Sequence, residues 1–338
     1  MTAPLRVHDN RVPVYYDGGA RISAFRGVPP ARGPEDWVGS LSRLPAAILP
    51  AGFPADTGVS RTAQGSLADL VAADPEGWLG APLAKAYGGD PGLLVKLLDA
   101  GVRLPVHCHP TRDFAQRHLG SLFGKTEGWI VVDALPGAQV WLGMRDTVHR
   151  GDLLRWIEDQ DTAAMIAAMN ALTVSPGQVL YVPAGLPHAI GPGVFVIELQ
   201  EPTSFSVLAD YTAFGVDPDA ATLGLGWDLA LSCFDLGGYA DRLDALLPAA
   251  RPLGPGLRSL FAADADGYFR AWEARGDVTL PVASFAVVVV TGGAGSLLTG
   301  ADRMPIARGD TLVVPASAGP LTFEDTVEAI VCLPPELP

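Results

Sequence analysis

The sequence predicts a mainly β protein, a sandwich or barrel with helical insertions. Short segments rich in Val, Ile, Leu and aromatic residues recur along the chain, and Gly or Pro bounds each of them. Strand-length segments separated by turn residues are typical of sandwiches and barrels. Two further observations extend this prediction: a strand–turn pattern occurs once in each half of the chain, and two of the few histidines stand one residue apart.

Nine segments have the composition of strands. In chain order they are VPVYY, LLVKLLDA, GWIVVDA, GAQVWLGM, GQVLYVPAG, GVFVIELQ, ASFAVVVVTG, GDTLVVPAS and VEAIVCLP. Helical periodicity appears instead in SLADLVAADPEGWLG, in residues 152–172 and in residues 240–262. The strands therefore form the body of the predicted fold, and the helices are insertions.

Composition and charge argue against several classes of protein. The 338 residues suffice for two domains, and 23 Lys and Arg against 37 Asp and Glu give a formal charge of −14. This balance argues against sequence-independent binding of nucleic acid or of an anionic membrane surface. No apolar segment reaches the roughly 18 residues of a membrane span, so we expect a cytoplasmic protein. The three cysteines, Cys108, Cys233 and Cys332, are too few and too far apart for a disulfide framework, and burial as small apolar residues is the expected role.

One strand–turn unit is used twice. Residues 177–190 read GQVLYVPAGLPHAI and residues 309–322 read GDTLVVPASAGPLT, and both place a Gly, five residues and a Pro around an apolar segment. His188 in the first copy corresponds to Pro320 in the second. A turn needs the Gly and the Pro but not the histidine, so the histidine is predicted to be functional in the first copy alone.

The stretch LPVHCHP at residues 104–110 holds the adjacent pair of histidines. Because a strand directs residues i and i+2 to the same face, His107 and His109 would point together while Cys108 turns away. Two imidazoles on one face suggest a metal site. The alternative is that both histidines are polar residues on the solvent-exposed face of an edge strand.

The two halves of this histidine pattern resemble the cupin superfamily, whose members are small double-stranded β-barrels. Gly101, five residues and H-x-H match the first cupin motif, and residues 177–188 match the second, G-x5-P-x-G-x2-H. The resemblance implies two cupin barrels of the double-stranded β-helix, or jelly-roll, type. Residues 1–222 would form a metal-binding barrel with helical insertions, and residues 223–338 a degenerate barrel without metal ligands.

The cupin resemblance implies a ligand set of two histidines, a glutamate and a third histidine: His107, His109, Glu127 and His188. Glu127 is the sole acidic residue of its apolar segment before Asp133, although a solvent-facing strand residue is the commoner fate of a glutamate. Three imidazoles and a carboxylate suit zinc, with manganese, iron and nickel (Zn2+, Mn2+, Fe2+ or Ni2+) as alternatives.

The chain as a whole resembles the type I mannose-6-phosphate isomerases. LPVHCHP, GKTEGW, PAGLPHAI and ELQ follow one another in the order of that family's motifs, and EDWVGS and LLVKLLDA fit its earlier segments. The resemblance implies a zinc-dependent aldose–ketose isomerase that converts mannose 6-phosphate to fructose 6-phosphate through an enediol. His107 stands where the family has a Gln, which restores the three-His, one-Glu set of other cupins.

The same resemblance implies roles for six further residues. Lys125 is placed near the metal glutamate and is a candidate for proton transfer, and Glu198 is a candidate base, although a solvated lysine and a salt-bridged strand glutamate are the alternatives. Lys96 interrupts an apolar strand, so it either extends to the barrel rim or contacts substrate. The predicted catalytic residues are thus Lys125, Glu198 and Lys96, and the predicted substrate contacts are Glu35, Trp129 and Arg103.

Two departures from the family concern the phosphate group. Pro105 replaces a serine, and no basic residue follows ELQ where many relatives have an arginine. Arginine is the natural bidentate partner of phosphate, so binding of a phosphorylated substrate requires an arginine from another segment of the chain. The candidates are Arg103, Arg112, Arg117 and Arg145.

Several functions remain open from sequence alone. The partner is a small sugar or a sugar phosphate. An isomerase of a non-phosphorylated or differently substituted sugar, a sugar-binding cupin without turnover, and an iron or manganese enzyme with oxidative chemistry are the alternatives to the phosphosugar isomerase.

Overall fold

The computed structural model describes residues 3–46, 48–281, 283–300 and 302–337. Its secondary structure is mainly β. The strands in these ranges are β1 (Leu5–Arg6), β2 (Arg11–Val12), β3 (Glu35–Val38), β4 (Arg61–Thr62), β5 (Gly65–Ser66), β6 (Leu94–Asp99), β7 (His107–Cys108), β8 (Glu127–Ala134), β9 (Gln139–Met144), β10 (Met169–Thr173), β11 (Val179–Val182), β12 (His188–Ile190), β13 (Val194–Gln200), β14 (Val207–Leu208), β15 (Arg251–Gly254), β16 (Leu257–Ser259), β17 (Arg270–Arg275), β18 (Val278–Thr279), β19 (Ala286–Gly292), β20 (Ala294–Thr299), β21 (Asp302–Ala307), β22 (Thr311–Val314), β23 (Leu321–Asp325) and β24 (Glu328–Leu333).

The helices are short. They are α1 (Ala20–Arg26), α2 (Leu67–Ala73), α3 (Pro75–Leu79), α4 (Ala81–Tyr87), α5 (Arg112–His118), α6 (Arg150–Glu158), α7 (Thr162–Ala168), α8 (Pro218–Ala221) and α9 (Trp227–Ala230), with short 3-10 helices elsewhere. None of the helices within the described ranges is long and apolar enough to cross a membrane.

Two antiparallel sheets occupy the N-terminal part of the chain. One has the strand order β10-β9-β12-β7-β14, and the other has the order β11-β8-β13-β6-β3-β2. We call them the histidine sheet and the glutamate sheet, because the first carries His107 and His188 and the second carries Glu127 and Glu198. These residues therefore approach one another from different sheets.

The C-terminal part has two sheets of its own. Their strand orders are β1-β22-β19-β24-β17-β16-β15 and β18-β23-β20-β21. Strand β1 comes from the opposite end of the chain and pairs with β22. The N-terminus therefore closes one edge of the C-terminal sheet.

The repeated strand–turn unit appears in both halves. Gly177 and Gly309 have φ values of 85° and 94°, a left-handed conformation that favours glycine, and each precedes the strand of its unit, β11 or β22. His188 opens β12 in the first copy, whereas Pro320 precedes β23 in the second. The two copies thus share backbone geometry and differ at the histidine.

The helical predictions are correct in part. The segment around α2 and α3 is helical, as is most of residues 152–172, but residues 169–173 pair with β9 as strand β10. The prediction of a helix in residues 240–262 is wrong, except for a 3-10 helix at Ala240–Leu246. Pro248, Pro252 and Pro255 lack the amide hydrogen that a helix needs, and β15 and β16 form there instead.

Alternation along β8 and β13 separates two cores. Trp129, Val131 and Val196 face the interior between the N-terminal sheets, whereas Ile130 and Ile197 pack into a second cluster that includes Phe261 and Phe269 from the C-terminal part. The strand that presents Glu127 is therefore buried on both faces. The three cysteines are free and buried, as expected from their spacing.

We expect a Gly128→Ala substitution to lower the free energy of unfolding by about 1–3 kcal/mol, the range for overpacking a core. A Cβ at this position would lie 2.4 Å from Phe261 Cε1 and 3.2 Å from Phe269 Cε2, and both rings are fully buried. Urea titration of each variant measures the change. Gly151→Ala is the matched control, because a Cβ there meets nothing within 4 Å; equal stability of the two variants would contradict the packing.

Candidate metal centre

Three histidines converge between the N-terminal sheets. His107 and His188 are directly opposite each other in the antiparallel pair of β7 and β12, and His109 follows β7 by one residue. Their ring centroids are 4.1 Å apart for His107 and His188, and 4.8–4.9 Å apart for the pairs with His109. One nitrogen of each ring lies within 4.8 Å of the others. Cys108 points away and packs with apolar side chains.

Backbone carbonyls fix the orientation of all three rings. Every Nδ1 lies 2.8 Å from a carbonyl oxygen, which accepts its hydrogen. The carbonyls are those of Pro105 for His107, Phe205 for His109 and Leu186 for His188. Because Nδ1 carries the hydrogen, the lone pair of each ring is on Nε2. Such outer hydrogen bonds are the usual way to set the tautomer of a metal-ligating histidine.

Glu127 meets these nitrogens from the glutamate sheet. Its Oε2 lies 3.1 Å from His109 Nε2, and its Oε1 lies 3.3 Å from His188 Nε2. Trp129 Nε1 donates to Oε1 at 3.1 Å and orients the carboxylate. Glu127 Oε2 and His188 Nε2 are buried and have no hydrogen-bond partner among the described residues. Lone pairs that face lone pairs in a buried site require a cation between them.

Lys125 supplies one cation at this position. Its Nζ lies 3.0 Å from His109 Nε2 and 3.3 Å from Glu127 Oε2. These are also atoms that a metal would bind. The predicted catalytic lysine is therefore buried against the predicted ligands rather than solvated.

The protonation states suit a metal. Burial, together with the neighbouring His188, His109 and Lys125, holds the pKa of His107 well below its usual range. Burial and Lys125 lower the pKa of His109 to about 3. Burial alone would raise the pKa of Glu127, but Lys125 and the neighbouring histidines outweigh it and lower the pKa well below normal. Neutral imidazoles and an ionised carboxylate are the forms that bind divalent metals.

A row of polar and aromatic residues crosses the glutamate sheet beside the histidines. Trp37, Lys96, Glu198 and Trp129 are successive cross-strand partners on β3, β6, β13 and β8. Lys96 Nζ lies 3.0 Å from Glu198 Oε1 and 3.3 Å from Glu35 Oε2, so this lysine is buried and paired rather than extended to the rim. Glu35 in turn accepts hydrogen bonds from Tyr16 and Trp37 at 2.5 and 2.7 Å.

The charges in this row are coupled. Burial opposes the charge on Lys96, but Glu198 and Glu35 raise its pKa above the usual range. Burial raises the pKa of Glu198, and Lys96 offsets part of the rise. Glu198 Oε1 makes no hydrogen bond of good geometry. A carboxylate with raised pKa and a free lone pair is suited to accept a proton.

Replacing Lys96 by Met should lower the free energy of unfolding by about 3–5 kcal/mol, because Glu35 and Glu198 would then be buried without their cation. Chemical denaturation gives the value. Lys85→Met, on an exposed helix position, is the control and should change stability little. A Lys96→Met variant as stable as the control would disprove the pairing.

A small pocket lies between the histidines and this row. Its volume is about 30 Å³, room for one or two waters, so a sugar can enter only if lining groups move. Tyr15 and Ser206 are the half-buried residues among them. Its lining comprises Tyr15, Tyr16, Glu35, Lys96, Leu98, Leu104, His107, Lys125, Glu127, Trp129, His188, Ile190, Glu198 and Ser206.

Most residues singled out from the sequence meet at this pocket. Arg103 does not line it: its guanidinium donates to Leu104 O at 2.7 Å and to Asp210 at 2.5 Å. Its predicted substrate contact stays a prediction. Tyr15, Tyr16 and Ser206 line the pocket but were not found from the sequence. The segment VPVYY was predicted to be a strand, which is wrong beyond Val12: strand β2 ends before Pro13, and both tyrosines lie outside it.

The other three arginines point elsewhere. Arg112 pairs with buried Glu201 at 2.5 Å and stacks on Tyr268. Arg117 pairs with Asp113, and Arg145 pairs with Asp146 at 3.4 Å, both on the surface. None of these arginines is a lining residue of the pocket.

Comparison with known proteins gives consistent results. No protein-family model matches the chain. The mannose-6-phosphate isomerase of Streptococcus mutans is 28% identical over 240 residues, which cover 70% of this chain and 72% of that protein. The mannose-6-phosphate isomerase ManA of Bacillus subtilis is 27% identical over 241 residues, or 71% of this chain and 74% of the relative.

Solved structures share the fold. The crystal structure of the mannose 6-phosphate isomerase from Bacillus subtilis has a TM-score of 0.73 at 21% identity, over 98% of this chain and 99% of that one. A mannose 6-phosphate isomerase bound with zinc and yttrium has a TM-score of 0.75 at 12% identity, over 99% of this chain and all of the other. Along most of its length the chain is therefore similar in sequence to mannose-6-phosphate isomerases, and it shares the fold of solved members of that family.

Proposed function

We propose that the chain is a metal-dependent aldose–ketose isomerase that interconverts a mannose-type aldose and the corresponding fructose-type ketose. The relatives are named for mannose 6-phosphate, which makes its conversion to fructose 6-phosphate the reference reaction. One observation carries the proposal: three Nε2 lone pairs and the Glu127 carboxylate converge on one side of a pocket, and a lysine–carboxylate pair lines the other side.

His107, His109, Glu127 and His188 would hold the metal. Their fit rests on the lone pairs that face one another and on the carbonyls that fix each ring. Zinc is the first candidate because a relative's structure is described with it, and manganese, iron and nickel accept the same ligands. When bound, the metal supplies a Lewis acid for the sugar oxygens at the reacting carbons.

The proton transfer is assigned to residues of this chain. An enediol route moves a proton between neighbouring carbons, which needs a base and a donor at fixed positions. Glu198 is the candidate base, since its carboxylate lines the pocket and burial raises its pKa. Lys125 is the candidate donor to the sugar oxygen, and Lys96 holds Glu198 in place at 3.0 Å.

Glu35 and Trp129 bound the space for the sugar. The Trp129 indole donates to Glu127, and the residue is the cross-strand partner of Glu198. Glu35 is fixed by Tyr16, Trp37 and Lys96. Buried polar groups held this rigidly can orient hydroxyl groups of a bound sugar. These two residues are therefore proposed as substrate contacts.

The domain arrangement follows the sheets. The histidine and glutamate sheets are proposed to form a metal-bearing cupin barrel within residues 1–222, and the two C-terminal sheets a second barrel within residues 223–338 that lacks metal ligands. The pairing of β1 with β22 would link them. In the second barrel Pro320 replaces the histidine of the repeated unit.

Turnover by the zinc-loaded protein tests the function. Mannose 6-phosphate and free mannose are each supplied, and the ketose product is measured, with the His188→Ala variant as control for contaminating host enzyme. Isomerisation by the native chain alone supports the proposal. Sugar binding without product would instead favour a binding protein, and oxygen consumption with iron or manganese would favour oxidative chemistry.

A further inference from the structure

We infer that Glu201 and Thr203 are positioning residues: together with Arg112 they fix the backbone that carries Lys125 and Glu127. The inference rests on the proposed isomerase function and adds to it residues that do not line the pocket. These three residues act on the site through the backbone groups that they bind.

Glu201 binds both backbone groups of Thr126, the residue between the candidate proton donor and the candidate metal ligand. Its carboxylate Oε2 accepts the Thr126 N–H at 2.9 Å, and its own N–H donates to Thr126 O at 3.1 Å. A residue held at both its N–H and its carbonyl cannot rotate without breaking a hydrogen bond. The side chains of Lys125 and Glu127 on either side are therefore fixed in direction.

Thr203 holds the residue before this lysine. Its hydroxyl donates to Gly124 O at 2.7 Å, and the N–H of Lys125 donates to Pro110 O at 3.0 Å. A Cβ at Gly124 would lie 2.5 Å from Pro110 O, so the two backbones are in close contact. Residues 124–126 are thus hydrogen-bonded one after another, up to the strand that presents the glutamate.

Arg112 completes the arrangement. The Glu201 carboxylate is fully buried, and its Oε1 accepts from Arg112 Nε at 2.5 Å, which leaves Oε2 for Thr126. The guanidinium also donates to Gly267 O at 2.8 Å and lies 4.5 Å from the ring centroid of Tyr268. These last two residues belong to the C-terminal part, so the arrangement is anchored outside the sheets that carry the proposed metal ligands.

The buried charge of Glu201 favours a role in position over one in stability. A buried ion pair is often no more stabilising than apolar residues of similar volume, because the cost of desolvation offsets the attraction. Charge-assisted hydrogen bonds are short and directional, however, and a carboxylate can accept from a guanidinium and a backbone N–H at once. Outer partners of this kind orient the ligands of metal centres.

The zinc affinity of a Glu201→Gln variant tests the inference. An amide side chain has a single acceptor oxygen, so either the Thr126 N–H or the Arg112 Nε–H would then face an N–H group. We expect the zinc dissociation constant, measured by competition with a chromophoric chelator, to rise at least tenfold, the lower end of the range for an outer partner of a ligand. A folded variant that binds zinc as tightly as the native protein overturns the inference.

A second substitution at Arg112 separates position from charge. Arg112→Gln places an acceptor oxygen where Nε now lies, because three carbons precede that atom in both side chains. In the double variant with Glu201→Gln, the amide at position 201 can donate to this oxygen and still accept from Thr126. We expect zinc affinity to return to within about threefold of native. A double variant as weak as Glu201→Gln alone would overturn the inference.

Asp99→Asn is the matched control. Asp99 is also buried, pairs with Arg21 at 2.9 Å and accepts the Gly19 N–H at 3.0 Å, but it does not line the pocket. The variant should lose stability, because a buried arginine partner is removed, and should keep native zinc affinity. An equal loss of zinc affinity in Asp99→Asn and Glu201→Gln would reduce Glu201 to a role in stability and overturn the inference.

Thr203→Val gives a second test if Glu201→Gln does not fold. It removes the hydroxyl that holds Gly124 O and keeps the shape of the side chain, so zinc affinity should fall roughly two- to tenfold, the equivalent of one hydrogen bond. Thr57→Val is its control, since the Thr57 hydroxyl also donates to a carbonyl at 2.7 Å but lies on an exposed turn. Equal zinc affinity of the two variants overturns the inference.

Turnover at saturating zinc separates this inference from the proposed function. If the native protein isomerises mannose 6-phosphate and Glu201→Gln loses at least tenfold in kcat with little change in KM, both hold. If the native protein isomerises no sugar but Glu201→Gln still weakens zinc binding, the isomerase function fails and the positioning of Glu127 holds. If the native protein is active and Glu201→Gln matches it in zinc affinity and kcat, the function holds and the inference is wrong.

Discussion

The His188→Ala variant is expected to lose its bound metal, and its kcat/KM should fall by more than roughly 100-fold. Loss of a residue that only supports a metal ligand typically costs up to about 100-fold, and loss of a ligand itself should cost more. His188 presents an Nε2 with no hydrogen-bond partner to the centre, and its Nδ1 is committed to Leu186 O at 2.8 Å. Ala removes one of four proposed ligands without adding bulk. Metal content by mass spectrometry and turnover are measured on the same preparation.

His149→Ala is the matched control for this loss. His149 is exposed before helix α6 and makes no capping hydrogen bond with its side chain. It should retain native metal content and turnover. If His188→Ala also kept both, the convergence of the three histidines would have no role in metal binding and the proposed mechanism would fail.

Lys125→Met should lower kcat by roughly 10²- to 10⁴-fold, the range for a lost general acid or base, while metal content stays native. Met matches the length of the lysine stem, so packing against the buried site is kept and the ammonium alone is removed. Because the proposed role is in proton transfer, the effect should fall on kcat rather than on KM.

Lys85→Met controls for removal of a lysine as such, since that residue is exposed on α4. A Lys125→Met protein with kcat within about twofold of native would exclude proton transfer by this residue. Loss of metal from the variant would give a different result: Lys125 would then support the ligands rather than the sugar.

The convergence of the three histidines was predicted from the cupin resemblance, and the shared direction of His107 and His109 also from local alternation. Alternation in a strand puts His107 and His109 on one face, and the Gly and Pro of the repeated unit fix the turn before His188. The same alternation places Trp129 and Val131 on the inner face of β8 and Ile130 on the other. Within one strand, residue spacing is enough to decide direction.

The partners of those residues were not predictable, because they depend on the register between distant strands. Nothing in the sequence places Lys96 opposite Glu198, or Tyr16 against Glu35. The pairing of Arg103 with Asp210 likewise joins segments far apart in the chain, so its guanidinium was expected at the sugar. The segment 240–262 was misread because its apolar spacing is helical while its prolines prevent a helix.

The central claim is that a sugar is isomerised at this centre by proton transfer, and the most direct measurement is proton NMR of the reaction in deuterium oxide. The zinc-loaded protein is incubated with mannose and, separately, with mannose 6-phosphate. We predict ketose formation with deuterium at the reacting carbons, from exchange of the transferred proton with solvent, and none with His188→Ala. A folded, metal-loaded protein that forms no ketose and incorporates no deuterium with either sugar would contradict the isomerase account.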